Sequence, residues 1–402
     1  MSIPADLQFI FMHQMPYNDL APGQEKHESV WVDFPNSYFD PKHARELWQR
    51  YLREMSLADR LGFDGLLLTE HHSTIHSMNA SCSVMASQVI AHTEKAKIYV
   101  AGTPVNLEYP NRLAEEYGML DVLSGGRLVC CFPLGTGMEY WSNANQLNPA
   151  TARARLRESI QVIRRAWTEE GPISFDGEFF NYRYLNVWPR PYQQPHPKMY
   201  MVGSGSPETM QFAAKEGYGY SMVLLPFDIQ LKAFKTYRDI AAEHGHSTQP
   251  DQLMFSVQVY VGETEEEAER EARPHLLYGF HTSHRTAPRY HAPPGYVTVD
   301  EFRRRVARPY MPSGSRDEIE AALENRLIIF GTPDRVVETL AQWTEEAGSN
   351  RMITLLHFAD MPHWKTVKNL TMFAQEVMPR LRKLSGSGAP AKAERQPAAT
   401  AA

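Results

Sequence analysis

Glu70, His71 and His72 stand side by side just after a wholly apolar run, Leu66 to Leu68, in the stretch GFDGLLLTEHHST from Gly62 to Thr74. An apolar strand of this kind suits a parallel sheet covered on both faces. Titratable groups at the carboxyl end of such a strand are where α/β folds place chemistry. A histidine there can take or give a proton near neutral pH, its unperturbed pKa being about 6.5. A core imidazole satisfied by a hydrogen bond is the plainer alternative. Metal ligation is disfavoured, because neighbours on an extended strand point to opposite sides and the spacing is no zinc signature. No metal site is expected. Gly203-Ser204-Gly205-Ser206-Pro207 is a second candidate. Its glycines permit close backbone approach, Ser206 can cap and Pro207 can open a helix, and free N–H groups at a helix start bind phosphate. A well-capped helix explains the same residues, and Glu208 in the first turn would repel an anion.

The elements that must position these groups alternate along the chain. Strands are expected at Leu7 to Met12, around Leu66 to Leu68, and at Lys97 to Ala101, Arg127 to Phe132, Lys198 to Val202, Gly219 to Leu225, Leu253 to Val261 and Arg351 to His357. Helices are expected from Pro41 to Leu61 with Gly62 as the cap, Pro110 to Leu123, Thr151 to Glu170, from Pro207 onward, Asp228 to His244, from the TEEEAEREA run after Val261, Pro333 to Ala347 and Trp364 to Leu384. This is the alternation of an α/β chain, a (β/α)8 TIM barrel with insertions at the C-terminal face. A doubly wound fold is the rival, but no G-x-G-x-x-G fingerprint follows any strand. Asp176 to Pro195 reads as a β-ribbon excursion. One domain is expected over residues 1–384, with an insertion at about 274–326 between strands seven and eight and a disordered tail at 385–402. The loop from His13 to Asp40 is long enough to be a lid or binding segment.

Composition excludes several classes. The chain has 402 residues, 43% hydrophobic and 22% charged, as globular proteins do. A net charge of −6 argues against nucleic-acid binding. Three cysteines, two of them adjacent, give no disulfide framework and suggest a reducing cytoplasm. No apolar run approaches the ~18 residues of a membrane span, and no basic-then-apolar signal opens the chain.

The ordered set LGFDGLLLTEHH, YPNRLAEEYGMLDVLSGGRL, MVGSGSPETMQFAAKEG, FGTPDRVVETL and MITLLHF resembles the bacterial luciferase-like, flavin-dependent monooxygenases over nearly the whole chain. The resemblance implies a TIM-type barrel and an oxidoreductase using reduced FMN and O2 through a C4a-(hydro)peroxyflavin to oxygenate a small organic substrate. It also implies a separate NAD(P)H:flavin reductase and a homodimer. His71 matches the family's catalytic histidine beside the flavin, and Gly203, Ser204, Gly205 and Ser206 match the seat of the FMN phosphate. Thr103 and Asn106 fall in the loop that approaches the flavin ring, although a capped turn would also explain them. Trp31, Phe34, Tyr38, Tyr109, Tyr140 and Trp141 fall in loops that would line a dry substrate pocket or merely cover the barrel mouth. His357 reads as a core histidine. Leu134 stands where luciferase has an arginine, so a phosphate-neutralising cation must come from elsewhere or backbone donors must suffice. A deazaflavin-dependent dehydrogenase, a non-catalytic flavin-binding partner subunit and a metal-dependent hydrolase are the competing readings.

Overall fold

The computed structural model describes residues 3–143, 148–203, 206–300, 302–303 and 317–386. Eight parallel strands close on themselves in the order β1 (Gln8–His13), β2 (Gly65–Leu68), β3 (Lys97–Ala101), β4 (Leu128–Pro133), β7 (Met199–Gly203), β8 (Gly219–Met222), β9 (Leu253–Val261) and β11 (Arg351–Leu355). Pairing of Gln8 with Arg351 through Met12 with Leu355 joins the first strand to the last. Helices cover the outside, so the fold is the (β/α)8 barrel that the alternation predicts.

Side-chain alternation divides the core in two. Ile10, Met12, Leu67, Tyr99, Val129, Cys131, Tyr200, Met254, Ile353 and Leu355 fill the barrel. Phe9, Phe11, Leu66, Leu68, Val100 and Cys130 face the helices instead. Helix α1 (Pro41–Leu61) starts as its sequence dictates: Asp40 accepts from the Lys42 N–H, Pro41 opens the first turn, and Gly62 ends it at φ 88°. A ribbon is present but earlier than the expected Asp176 to Pro195: it is an antiparallel pair, β5 (Ile173–Asp176) and β6 (Asn181–Leu185).

Three further features depart from the sequence reading. Helix α2 (Cys82–Ala91) follows β2, where no helix had been placed. An additional strand, β10 (Ile328–Gly331), pairs in parallel with the carboxyl half of β9. At four residues β10 shows little alternation, and unlike the equally short β2 and β8 it is not needed to complete the eightfold repeat. The helix Glu265–Tyr278 runs through Pro274, where the insertion was expected to begin, and continues as a π turn over Gly279–Ser283. Buried Ala268, Ala272 and Leu276 hold that helix in spite of its proline. Much of the far part of the expected insertion, and residues 387–402 of the expected tail, lie outside the described residues.

Candidate functional site at the barrel mouth

A cavity of about 310 Å³ opens at the carboxyl ends of the strands. Its floor is apolar: Met12, Leu67, Ala101, Val202 and Val223. Leu67, on β2, and His71, in the loop after it, face this space, whereas His72 turns to Glu70, with 3.4 Å between Nε2 and Oε1. Glu70 is a structural post: its Oε2 accepts from the Cys82 N–H at the start of α2 and from the Thr103 hydroxyl. That ion pair raises the His72 pKa against the opposing effect of burial.

His71 is held from behind. Its Nδ1 lies 2.9 Å from Oε1 of Glu139, a buried carboxylate in the short helix Glu139–Asn143. The other Glu139 oxygen accepts from the Thr136 N–H. The carboxylate therefore takes the proton on Nδ1 and leaves Nε2 as the nitrogen available to a ligand. Trp31 packs edge-on against His71 at 4.9 Å and stacks on His76 at 5.0 Å. His284 completes the wall, 4.3 Å from His76. Burial pushes His76 well below its ordinary pKa, with His284 and His71 adding to the effect, and pushes His284 down to about 4. Both are neutral at pH 7. The Gly279 carbonyl accepts from His284 Nδ1–H, and His284 Nε2 has no partner among the described residues.

The opposite wall carries Gly203, Ser206, Thr209, Arg153 and Tyr296. A Cβ on Gly203 would lie 2.2 Å from the Tyr220 hydroxyl, so only glycine fits. Ser206 donates to Glu208 at 2.7 Å, and that hydrogen bond helps hold the Glu208 carboxyl below its ordinary pKa. The roof is made by two distant segments. The Val30 N–H donates to the Arg285 carbonyl, the Ala287 N–H donates to Glu28, and the Ser29 and Thr286 hydroxyls meet at 2.5 Å.

A second group of titratable residues lies behind β1. His13, Glu54 and His357 bring possible metal-ligand atoms within 4.8 Å of one another. His13 Nδ1 accepts from the Met15 N–H, so Nε2 carries the proton that it donates to Glu54. The other Glu54 oxygen is taken by Arg50 and His363. Burial opposes ionisation of Glu54, but the hydrogen bonds from His13 and His363 outweigh it and hold the carboxyl far below its usual range. Glu54 is thus committed to Arg50, His13 and His363, whereas His357 Nε2 is buried with no partner among the described residues.

The sequence profile of the luciferase-like monooxygenases matches residues 33–351. The chain belongs to that family. Among curated relatives, the luciferase-like chain is 24% identical over 354 residues to the alkanal monooxygenase alpha chain of Photobacterium leiognathi, covering 86% of this chain and 97% of that one. It is 29% identical over 170 residues to an F420-dependent glucose-6-phosphate dehydrogenase of Kineococcus radiotolerans, 40% of this chain and 49% of that one. Among solved structures, monooxygenase RslO1 from Streptomyces bottropensis superposes with a TM-score of 0.71 at 22% identity, over 93% of this chain and 99% of that one. The oxygenating constituent of 3,6-diketocamphane monooxygenase from Pseudomonas putida, in complex with FMN, gives 0.68 at 18% identity over 94% and 98%. These likenesses make the protein an oxidoreductase of the luciferase-like monooxygenase class.

Of the residues singled out in the sequence of this luciferase-like monooxygenase, His71, Trp31, Gly203 and Ser206 line the cavity. Ser204 and Gly205 lie outside the described residues. Thr103 is buried with its hydroxyl committed to Glu70 and Tyr117. Asn106 is buried behind the cavity and donates to the Tyr140 hydroxyl, which donates to the Leu134 carbonyl. Phe34 and Tyr38 stack on each other; Tyr109 is exposed and Trp141 is half-exposed. Glu139, His76, His284, Arg153 and Tyr296 were not singled out. His76 had a signal, lying five residues beyond His71 in the same loop. Glu139 had none, since 68 residues separate it from His71.

Proposed function

We propose that the protein is the oxygenase component of a two-component flavin monooxygenase that uses reduced FMN and O2 to oxygenate a small organic substrate. The observation that carries this reading is the His71–Glu139 pair set in an otherwise apolar cavity at the barrel mouth. The residues fit the cofactor. An apolar floor suits a flat ring system, and the Arg153 Nε–H is buried in the wall with no partner among the described residues. Reduced flavin, when bound, supplies the electrons that activate dioxygen for transfer of one oxygen atom to the substrate. His71 Nε2 accepts or returns the proton that this transfer requires, with Glu139 stabilising the imidazolium. The Trp31 roof and apolar floor exclude water, which protects a reactive oxygen species from wasteful loss. Gly203 and Ser206 form the phosphate end.

The remaining parts of the reading follow. A separate NAD(P)H:flavin reductase supplies the reduced cofactor. Val84 on α2 and Met119, Val122 and Leu123 on α3 (Pro110–Leu123) are exposed apolar side chains on two packed helices, the face on which a second copy would close. Residues 1–384 act as one domain. Among the described residues no helix is long and apolar enough to cross a membrane, and three buried free thiols suit a reducing cytoplasm. Anaerobic titration with reduced FMN, followed by oxygenation in a substrate screen, tests the proposal. A product heavier by about 16 mass units is expected; absence of reduced-flavin binding would sink it. The similarity to an F420-dependent dehydrogenase keeps hydride transfer from a deazaflavin as the second reading. Tight binding of F420 in place of FMN, with no oxygen consumption, would establish it.

A further inference from the structure

We infer that a small polar annex behind His76 receives a neutral hydrogen-bond donor, a hydroxyl or N–H group, which the substrate carries on an otherwise apolar body. The inference rests on the oxygenase reading above only in calling that ligand a substrate; the annex is argued from its own residues.

The annex is a chamber of about 20 Å³ that shares Gln14, His76, Leu224 and His284 with the large cavity. That is room for one water or one small polar group, whereas the 310 Å³ next to it can take the body of a ligand. Three of the residues around the annex carry a buried polar atom with no partner among the described residues: His284 Nε2, His357 Nε2 and Ser283 Oγ. Ser283 is 2% exposed and His357 4%. Two of the three come from the π turn Gly279–Ser283 and the residue that follows it, a backbone form that often accompanies a functional site. Buried polar atoms left unpaired are costly. Three around one chamber mark a place where a polar group belongs.

The existing hydrogen bonds fix what kind of group. His284 Nδ1–H is given to the Gly279 carbonyl at 2.9 Å, which leaves Nε2 as a bare lone pair. The other imidazoles of the annex differ. Gln14 Nε2 donates to His76 Nε2 at 2.9 Å, and Lys365 Nζ donates to His275 Nε2 at 3.0 Å, so both of those acceptors are filled. The open requirement at His284 is therefore a donor from outside the chain. A hydroxyl meets it best, because it can donate to His284 and accept from Ser283. Charge is disfavoured. None of the described residues lining the annex is Asp, Glu, Lys or Arg, and burial keeps His76, His284 and His357 neutral at pH 7. An ammonium or a carboxylate would enter without a counter-charge. The ring centres of His71 and His76 lie 5.2 Å apart, and those of His76 and His284 4.3 Å apart. A donor held in the annex thus anchors the substrate one imidazole away from His71 and selects which part of its apolar body lies beside that residue.

The probes are p-cresol and 4-fluorotoluene, alike in shape, with fluorine in place of the hydroxyl. Their dissociation constants would be measured by ligand-detected NMR on the full-length protein, with and without FMN, beside thermal melts. The unaltered protein should bind p-cresol about three- to tenfold more tightly, the scale of one net hydrogen bond. His284→Asn keeps a donor for the Gly279 carbonyl but removes the Nε2 acceptor. It should erase the preference and leave the affinity for 4-fluorotoluene unchanged. His284→Gln, whose amide oxygen reaches the Nε2 position, should restore part of it. No preference in the unaltered protein overturns the inference and leaves the annex as the seat of a bound water. A preference that survives in His284→Asn also overturns it, as does an equal loss of both probes, which would mark His284 as a structural residue. If FMN fails to bind while the p-cresol preference and its loss in His284→Asn are intact, the oxygenase reading falls and the donor site stands.

Discussion

At the scale of single residues, the loop that follows β2 decides what two adjacent histidines do. His71 and His72 lie beyond the end of the strand, and the turn there sends one to the cavity and the other to Glu70. His71→Ala should lower oxygen transfer by about 10²–10⁴-fold, the usual contribution of a positioned proton carrier, while reduced-flavin affinity stays within about threefold. Single-turnover kinetics beside a binding titration checks this; equal loss of both would mean that His71 holds the cofactor. Glu139→Gln should give a smaller loss in the same step, because the amide cannot stabilise the imidazolium but still fills the space. His71 could be singled out by its place after an apolar strand together with the family resemblance, and it lines the cavity. Its partner was not, because Glu139 is brought to it only by folding. Thr103 shows the converse. A polar residue in the right loop has its hydroxyl spent on Glu70 and Tyr117, and residue type alone does not reveal that commitment.

At the scale of elements, the barrel strands were legible because each combines an apolar run with a following helix of three-to-four periodicity. The short β10 and the small helix α2 were not, since their pattern is too brief and they owe their form to neighbours. Asn369, on the helix His363–Met372, shows how much one such neighbour contributes. Its amide oxygen accepts from the Val261 N–H, and its nitrogen donates to the carbonyls of Val259 and Leu356. Asn369→Ala would strand buried backbone groups on two strands and should cost about 2–4 kcal/mol, read as a lower midpoint in urea unfolding. The roof is an element of another kind. Trp31→Ala should leave flavin binding intact but lower the ratio of product formed to oxygen consumed, with the remainder appearing as hydrogen peroxide. A peroxide assay during turnover decides it, and an unchanged ratio would show that the roof does not protect the reaction.

At the scale of the whole molecule, several imidazoles sit neutral inside the protein. Burial depresses the pKa of His13, His76 and His357, and that of His284 to about 4. In the unfolded chain each would take a proton near pH 6.5. The unfolded state therefore binds more protons between roughly pH 6.5 and 4, and stability falls as pH drops through that window. His284 alone contributes on the order of 3 kcal/mol by pH 4. Glu54, whose folded carboxyl is depressed, contributes stability above its unfolded pKa and loses it at still lower pH. Denaturation midpoints measured from pH 8 to pH 4 should fall steadily below about pH 6.5; a flat profile would mean that these histidines are charged or solvated in the folded protein. A second test concerns assembly. Light scattering should return a mass near twice 45.9 kDa, and Val122→Glu on the exposed face of α3 should halve it.

The pairing of Ser29 with Thr286 has a consequence in time as well as in space. The two hydroxyls belong to residues 257 positions apart, and the barrel itself closes by pairing Gln8 with Arg351. Contacts of such sequence separation form late, because a long stretch of chain entropy must be surrendered first. On the ribosome, the segment around Trp31 emerges early and must wait for most of the chain before it has anything to cover. The cavity at the barrel mouth is thus among the last parts of the molecule to take shape.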